Sequence, residues 1–257
     1  MSNQTTTGAV DEPATPLLRL LDAADALPGA AELRAHTYDL LDMTPGRRVV
    51  DVGCGSGRAV AELADRGADP VGVDVSEQMI SVARRRWPQH DFRPGTADEL
   101  PLPDGSVGGY RADKVFHELA EHARALAEAW RVLAPGGRIV LLGQDWDALV
   151  IDSDDPELTR IIVHARADAL PNPRAARRYR NVLLDAGFTD VTIEVRTAVF
   201  LDTTMLPMLN GLAETACTAG AISREAADIW MAEQTRRAHA GRLFLAVPLF
   251  IAAATRP

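Results

Sequence analysis

Residues 49–57 read VVDVGCGSG, and the fold follows from that stretch. Val49, Val50 and Val52 surround Asp51 in an apolar, β-branched run, the composition of a buried parallel strand. Gly53, Gly55 and Gly57 then occupy alternate positions. Without Cβ atoms they accept dihedrals closed to other residues and bring main-chain N–H groups against a small polar ligand. RAVAELADRG continues as a helix with Val60, Leu63 and Ala64 on one face, and it stops at Gly67. Strand, glycine turn and helix in that order open an α/β unit.

Downstream, PVGVDV (70–75) is a second strand. Ser76 is placed to cap a helix whose buried face is Met79, Ile80, Ala83 and Trp87, ended by Pro88. HDFRPG is a faintly marked third strand, and SVGGYRA a fourth, diluted by Gly108 and Gly109. Leu119, Ala123, Leu126, Trp130 and Leu133 keep helical spacing up to Pro135-Gly136-Gly137, and RIVLLG (138–143) is a fifth strand. Such alternation implies a parallel sheet with helices on both faces. Upstream, LLRLLDAADAL and AAELRAHTYDLLDM are helical patterns stopped by Pro28-Gly29 and Thr44-Pro45-Gly46. The second half changes rhythm. Residues 154–170 and NPRAARRYRNVLLDAGF read as helices, VTIEVRTAV as a strand, 202–239 as helices, and RLFLAVPLFIAAA as a closing strand.

Composition narrows the class. Of 257 residues, 47% are hydrophobic and 25% charged, as in a globular domain. No apolar run reaches the roughly 20 residues that span a bilayer. The start, MSNQTTTGAVDEPATP, lacks a basic stretch followed by an apolar core, so the expectation is a mobile tail over 1–14 and no secretion signal. Two cysteines, Cys54 and Cys217, are too few for a disulfide framework or a zinc cluster, and cytoplasmic residence is the default. A formal charge of −9 argues against nucleic acid as substrate.

Ligands of open α/β sheets lie at the carboxyl ends of the strands. Asp74 ends the second strand 21 residues after Gly53 (74 − 53), where an acid accepts hydrogen bonds from a ribose diol. A nucleoside is therefore expected. The pyrophosphate pattern G-x-G-x-x-G is not met, because Arg58 stands where its third glycine belongs. G-x-G-x-G preceded by Asp51 suits a cationic ligand without phosphates.

Taken together, DVGCGSG, GVDVS, GTADELPLPDGSV and VLAPGGRIVL resemble the successive motifs of class I S-adenosylmethionine-dependent methyltransferases. The likeness is to the ubiquinone/menaquinone-biosynthesis and small-molecule natural-product branch, and it covers about residues 30–145. It implies a Rossmann-like α/β fold: a seven-stranded, mostly parallel sheet with helices on both faces and an added helical lid. The expected layout is a single domain over 15–257. N-terminal helices fill 15–43, the cofactor core 44–146, acceptor-side helices and a strand 147–240, and a last strand 241–257. For S-adenosyl-L-methionine the resemblance implies Gly53, Cys54 and Gly55 at the methionine part, with Asp51 near its amino group. It implies Asp74 on the ribose and Val75 and Met79 against adenine. Ala97, with Thr96 or Asp98, would read the adenine edge. Arg111, just past the fourth strand, would pass near the sulfonium, and Arg34 could pair with the carboxylate. Thr96 replaces the family's usual acid, and Val107-Gly108 its usual Phe-Asp.

Methyl transfer to a sulfonium-activated carbon depends on alignment, and a base is needed only for a poorly acidic acceptor. His117, at the expected start of the helix after the fourth strand, is the candidate base, or else a histidine packed beneath the cofactor. His122 reads as a solvated helix residue. In GQDWD (143–147), Asp145 and Asp147 face the acceptor or orient His117, unless one caps the next helix. Arg174, Arg177, Arg178 and Arg180 mark an acidic acceptor or a solvated face. Met205, Met208, Trp230 and Met231 form an apolar lid or ordinary core. The acceptor is a small, hydrophobic metabolite methylated at O, N or C, the chain being a monomer or homodimer. Rival readings are a cyclase or rearrangement catalyst that keeps its methyl group, a non-catalytic partner of another methyltransferase, a nucleic-acid or protein methyltransferase, and a nicotinamide dehydrogenase.

Overall fold

A computed structural model describes residues 26–257 together with Leu18, Asp22 and Asp25. The expected tail over 1–14 and most of the first helical pattern lie outside the described residues. The strands are β1 (Arg48–Val52), β2 (Asp69–Asp74), β3 (Asp91–Pro94), β4 (Val107–Asp113), β5 (Leu133–Gln144), β6 (Val150–Ile151), β7 (Thr189–Phe200) and β8 (Leu245–Thr255). They form one eight-stranded sheet in the order β3-β2-β1-β4-β5-β8, with β7 on the far side of β8 and β6 beside its first residues. The pairs among β1 to β5 are parallel, whereas β8 runs antiparallel to β5, β6 and β7. Seven strands are those the sequence marks. The eighth, β6, is two residues long, too short for any alternation to register.

The helices are α1 (Ala30–Leu40), α2 (Arg58–Asp65), α3 (Glu77–Arg86), α4 (His122–Val132), α5 (Pro156–Asp168), α6 (Ala175–Asp185), α7 (Leu206–Thr218) and α8 (Arg224–His239). Ser76 caps α3 as expected, its Oγ accepting the Met79 N–H at 3.3 Å. By contrast α4 begins at His122, later than its apolar spacing suggests. The chain makes a 3-10 turn over Phe116–Glu118 and then an extended residue at Leu119. Asn172 ties that segment down: its N–H donates to the His117 carbonyl, and its amide donates to the carbonyls of Leu119 and Ala120. In β4 the register shifts between Val107 and Gly109. A Cβ on Gly108 would stand 1.8 Å from Arg47 Nε, so the glycine that dilutes the strand pattern makes room for that side chain.

Two apolar cores lie on the second half of the sheet and its added helices. One packs Tyr110, Phe116, Leu126, Leu141 and Tyr179 between the sheet and α4 and α6. The other gathers Trp146, Ile162, Leu209, Leu212 and Trp230 beneath α5, α7 and α8. Each fully buried Leu or Val contributes about 1.5–3 kcal/mol, enough that these clusters fix the added helices in place. A third core under α1 joins Tyr38 and Leu41 to Val140 and Leu63. Among the described residues no helix is long and apolar enough to cross a membrane.

Candidate active site

The glycine turn after β1 folds back over the end of β2. The N–H groups of Gly53 and Cys54 both donate to the Val73 carbonyl, at 2.7 and 3.1 Å. Gly53 has φ +69° and Gly55 φ +52°, left-handed values that burden any residue with a Cβ. Space adds a second demand. A Cβ on Gly53 would lie 2.4 Å from Val115 Cγ2, in the turn after β4. Asp74 faces this turn: Oδ2 accepts the Gly55 N–H and Oδ1 the Ser76 N–H, each at 2.8 Å. Each carboxylate oxygen has capacity for a further bond, so Asp74 can accept a ribose diol while still holding the turn. Val75, the next residue, is 74% exposed, an apolar side chain open to a flat base. Met79 is buried one turn behind it. These residues fit the adenosyl ligand that the sequence implies.

Cys54 is buried under the turn, and its Sγ would be 2.9 Å from a Cβ on Gly72. Burial, with Asp51 and Asp74 nearby, pushes its thiol far up and leaves it unreactive. Ala97 is buried, while Thr96 and Asp98 are exposed. The Thr96 hydroxyl, assisted by Arg124 at 3.2 Å, holds the Asp98 carboxyl below its ordinary range.

Beneath the turn lies a buried network of charges. Arg111 lies inside β4 rather than past its end. It donates to Asp51 at 2.7 Å, to Asp113 at 2.8 Å and to Thr37 Oγ1 at 2.9 Å. Burial alone would weaken its hold on the proton, but Asp51 and Asp113 outweigh that and hold it more firmly than usual. Burial pushes the Asp51 carboxyl up, with Arg111 opposing. Tyr38 lies under the Arg111 guanidinium and donates to Glu62 at 2.8 Å. Glu62 also takes both nearer nitrogens of Arg34, at 2.9 and 3.0 Å, and Asp25 takes its third. Arg34 thus ties α1 to α2, and Arg111, through Thr37 and Asp51, ties α1 to β4 and β1.

On the acceptor side, His117 is buried in the 3-10 turn, two residues beyond the Val115 that touches Gly53. Lys114, between β4 and that turn, has φ +59°, a strained value for a side chain of its size. The His117 Nε2 lies 3.3 Å from Glu118 Oε1, and its Nδ1 is buried without a partner. Burial pulls its pKa below 6.5, with Glu118 opposing and Arg166 and Lys114 assisting. Its ring meets Trp146 edge-on at 5.8 Å. Asp145 and Asp147 flank that tryptophan, and α6 engages both: Arg177 pairs with Asp145 and Arg174 with Asp147. Asp145 also accepts the Asp147 N–H at 3.0 Å, so it caps its own turn. Neither aspartate reaches His117; the carboxylate that approaches its ring is that of Glu118. Arg174 and Arg177 are therefore ion-paired, while Arg178 and Arg180 are solvated.

His122 is not a solvated residue. It is half-buried against Phe116, with Nε2 2.7 Å from the Phe116 carbonyl. Trp230 is core, donating to Thr159 Oγ1 at 2.9 Å, and Met205, Met208 and Met231 pack around it. Two surface grooves are present, the second lined in part by His122, Asn172 and Arg178. One of about 510 Å³ runs along α3, and another of about 660 Å³ lies between α4 and α6. Sequence reasoning missed Thr37, Asn172, Val115 and Arg166, whose roles come from partners distant in the chain. Asn172, set between two prolines, alone carried a turn signal.

Residues 50–141 match the family model described as a methyltransferase domain. A 37.1 kDa protein in transposon TN4556 of Streptomyces fradiae is 36% identical over 259 residues, covering 96% of this chain and 74% of that one. The demethylmenaquinone methyltransferase of Beutenbergia cavernae is 38% identical over 108 residues, and the match spans 42% of this chain and 45% of that enzyme. Among solved structures, the YcgJ protein of Bacillus subtilis superposes with a TM-score of 0.61 at 16% identity, covering 88% of this chain and 99% of that one.

Proposed function

The chain belongs to the class I S-adenosylmethionine-dependent methyltransferases, and on that premise we propose that it methylates a small, largely apolar metabolite at an oxygen, nitrogen or carbon, with His117 as general base. S-adenosylmethionine, when bound, supplies a methyl group already activated by its sulfonium. Asp74 would hold the ribose, Val75 would cover one face of the adenine, and the ionised Asp98 would accept from the adenine amino group. The N–H groups of the glycine turn and the Asp51–Arg111 pair beneath it set the field around the methionine end.

The single observation behind the base assignment is the buried, unpartnered Nδ1 of His117. If Nε2–H donates to Glu118, the neutral ring leaves a lone pair on Nδ1. A pKa below 6.5 keeps that form dominant at neutral pH. The strained Lys114 and Val115 link this turn to Gly53, so base and cofactor seat share one rigid connection. The acceptor proton passes to Nδ1 as the new bond forms. Asp145 and Asp147, locked to α6, keep Trp146 against the His117 ring and thereby limit its rotation.

The test follows transfer of labelled methyl from S-adenosylmethionine to quinols, catechols and extracted apolar metabolites. Labelled product that falls at least a hundredfold with His117→Asn supports the reading. Product made equally well by that variant overturns the base assignment. Turnover of an acceptor with the cofactor unconsumed would instead indicate cyclisation or rearrangement.

A further inference from the structure

Among the described residues, Arg166 is the only arginine that is not exposed and yet has no hydrogen bond and no ion pair. Every other half-buried or buried arginine among the described residues donates a hydrogen bond, as Arg111, Arg131 and Arg237 do, or lies in an ion pair, as Arg48 does. Arg166 projects from α5, and its guanidinium lies 4.5 Å from the centroid of the Trp146 ring. A guanidinium has five N–H donors, and an aromatic face satisfies none of them directly. The residue is half-buried, and its N–H groups are left without a protein acceptor.

Two further groups in the same contact chain are unsatisfied. Trp146 is 9% exposed and its Nε1–H has no acceptor. His117 is 6% exposed, touches Trp146, and its Nδ1 has no partner. A buried polar group left unpaired costs about 1–3 kcal/mol, and here two of them touch beside a guanidinium that has no anionic partner. The nearest carboxylates do not fill the gap. Asp145 and Asp147 are taken by Arg177 and Arg174, and Glu118 faces His117 Nε2.

The geometry points to an oxyanion-binding subsite in the acceptor pocket, in which Arg166 and the Trp146 indole N–H hold a carboxylate or phosphate of the acceptor while His117 Nδ1 faces its methylated group. This rests on the methyltransferase reading and narrows its acceptor to an apolar molecule that carries an anion. The guanidinium sits over the indole with no carboxylate on it, and its fork of N–H donors suits a two-pronged contact with an oxyanion. The Nδ1 and Nε1 atoms are sealed from solvent, so the acceptor enters as the covering segments part; its anion accepts from the Trp146 N–H, and the O–H or N–H to be methylated donates to His117 Nδ1.

Calorimetry on protein saturated with S-adenosylhomocysteine tests this with three probes of similar size: benzoate, phenyl phosphate and neutral benzyl alcohol. At least one anion is expected to bind about tenfold or more tightly than benzyl alcohol. Arg166→Gln should abolish that preference, Arg166→Lys should retain part of it, and Arg160→Gln, on the exposed side of the same helix, should leave it unchanged. The stronger of the two anions distinguishes a carboxylate from a phosphorylated acceptor. Equal binding of anions and alcohol, no binding of either anion, or an undiminished preference in Arg166→Gln overturns the subsite. S-adenosylhomocysteine affinity is measured in the same titrations. If it is intact while the anion preference is missing, the subsite fails and the methyltransferase reading stands.

Discussion

Replacing Gly53 with alanine separates the two demands on the glycine turn. The native φ of +69° is left-handed, which costs a residue with a Cβ about 1–2 kcal/mol. The new methyl would also lie 2.4 Å from Val115 Cγ2, roughly an ångström inside ordinary contact, so the turn after β4 must shift. Overpacking of that kind costs about 1–3 kcal/mol. The sum is about 2–5 kcal/mol, or a fall in melting temperature of about 5–15 °C for a chain of this size. Val115→Ala removes the clashing atom but not the backbone strain. In that background Gly53→Ala should therefore cost only about 1–2 kcal/mol. Urea and thermal melts of the four proteins complete the cycle, with S-adenosylhomocysteine titrations alongside. If Gly53→Ala costs the same with and without Val115, the argument that the two turns are packed as one seat is refuted.

Three other substitutions probe the site. Asp74→Ala removes the acceptor for two backbone N–H groups and for the ribose, so S-adenosylhomocysteine affinity should drop by about tenfold or more by calorimetry; unchanged affinity would contradict the assignment. Arg111→Met leaves Asp51 buried without its counter-charge, and melts should show a loss of about 3–5 kcal/mol, partly restored by adding Asp51→Asn. His117 sets the pH behaviour. The log of kcat/KM should be level above pH 6.5 and fall in acid as Nδ1 takes a proton, and His117→Asn should lose that limb. The same lowered pKa contributes stability that is present above the unfolded value near 6.5 and is lost as pH falls through the folded value. His122 adds to it with the same sign.

The order of elements was legible because local chemistry marks it. Glycines follow β1, Ser76 caps α3, and Pro135-Gly136-Gly137 marks the turn into the core of β5. The pairing of Asp74 with the glycine turn was equally open to reading, since an acid at the end of β2 stands at a fixed distance from that turn in any chain of this design. The acceptor side was not. Whether Asp145 points at a substrate or at Arg177 depends on a helix 32 residues further on, and no spacing rule encodes that pairing. Helical spacing leaves His122 on the solvent side, yet Phe116 comes back to it through a 3-10 turn that Asn172, from far downstream, holds in place. Arg166 was hidden among helical charges, and only the absence of a partner in three dimensions sets it apart.

Titration of the purified, ligand-stripped protein with S-adenosylhomocysteine probes the seat made by Gly53, Gly55 and Asp74 most directly. A single saturable site should appear, and the melting temperature should rise with ligand concentration as mass action requires. A flat titration together with an unmoved melting curve, from protein shown to be folded, would contradict the account.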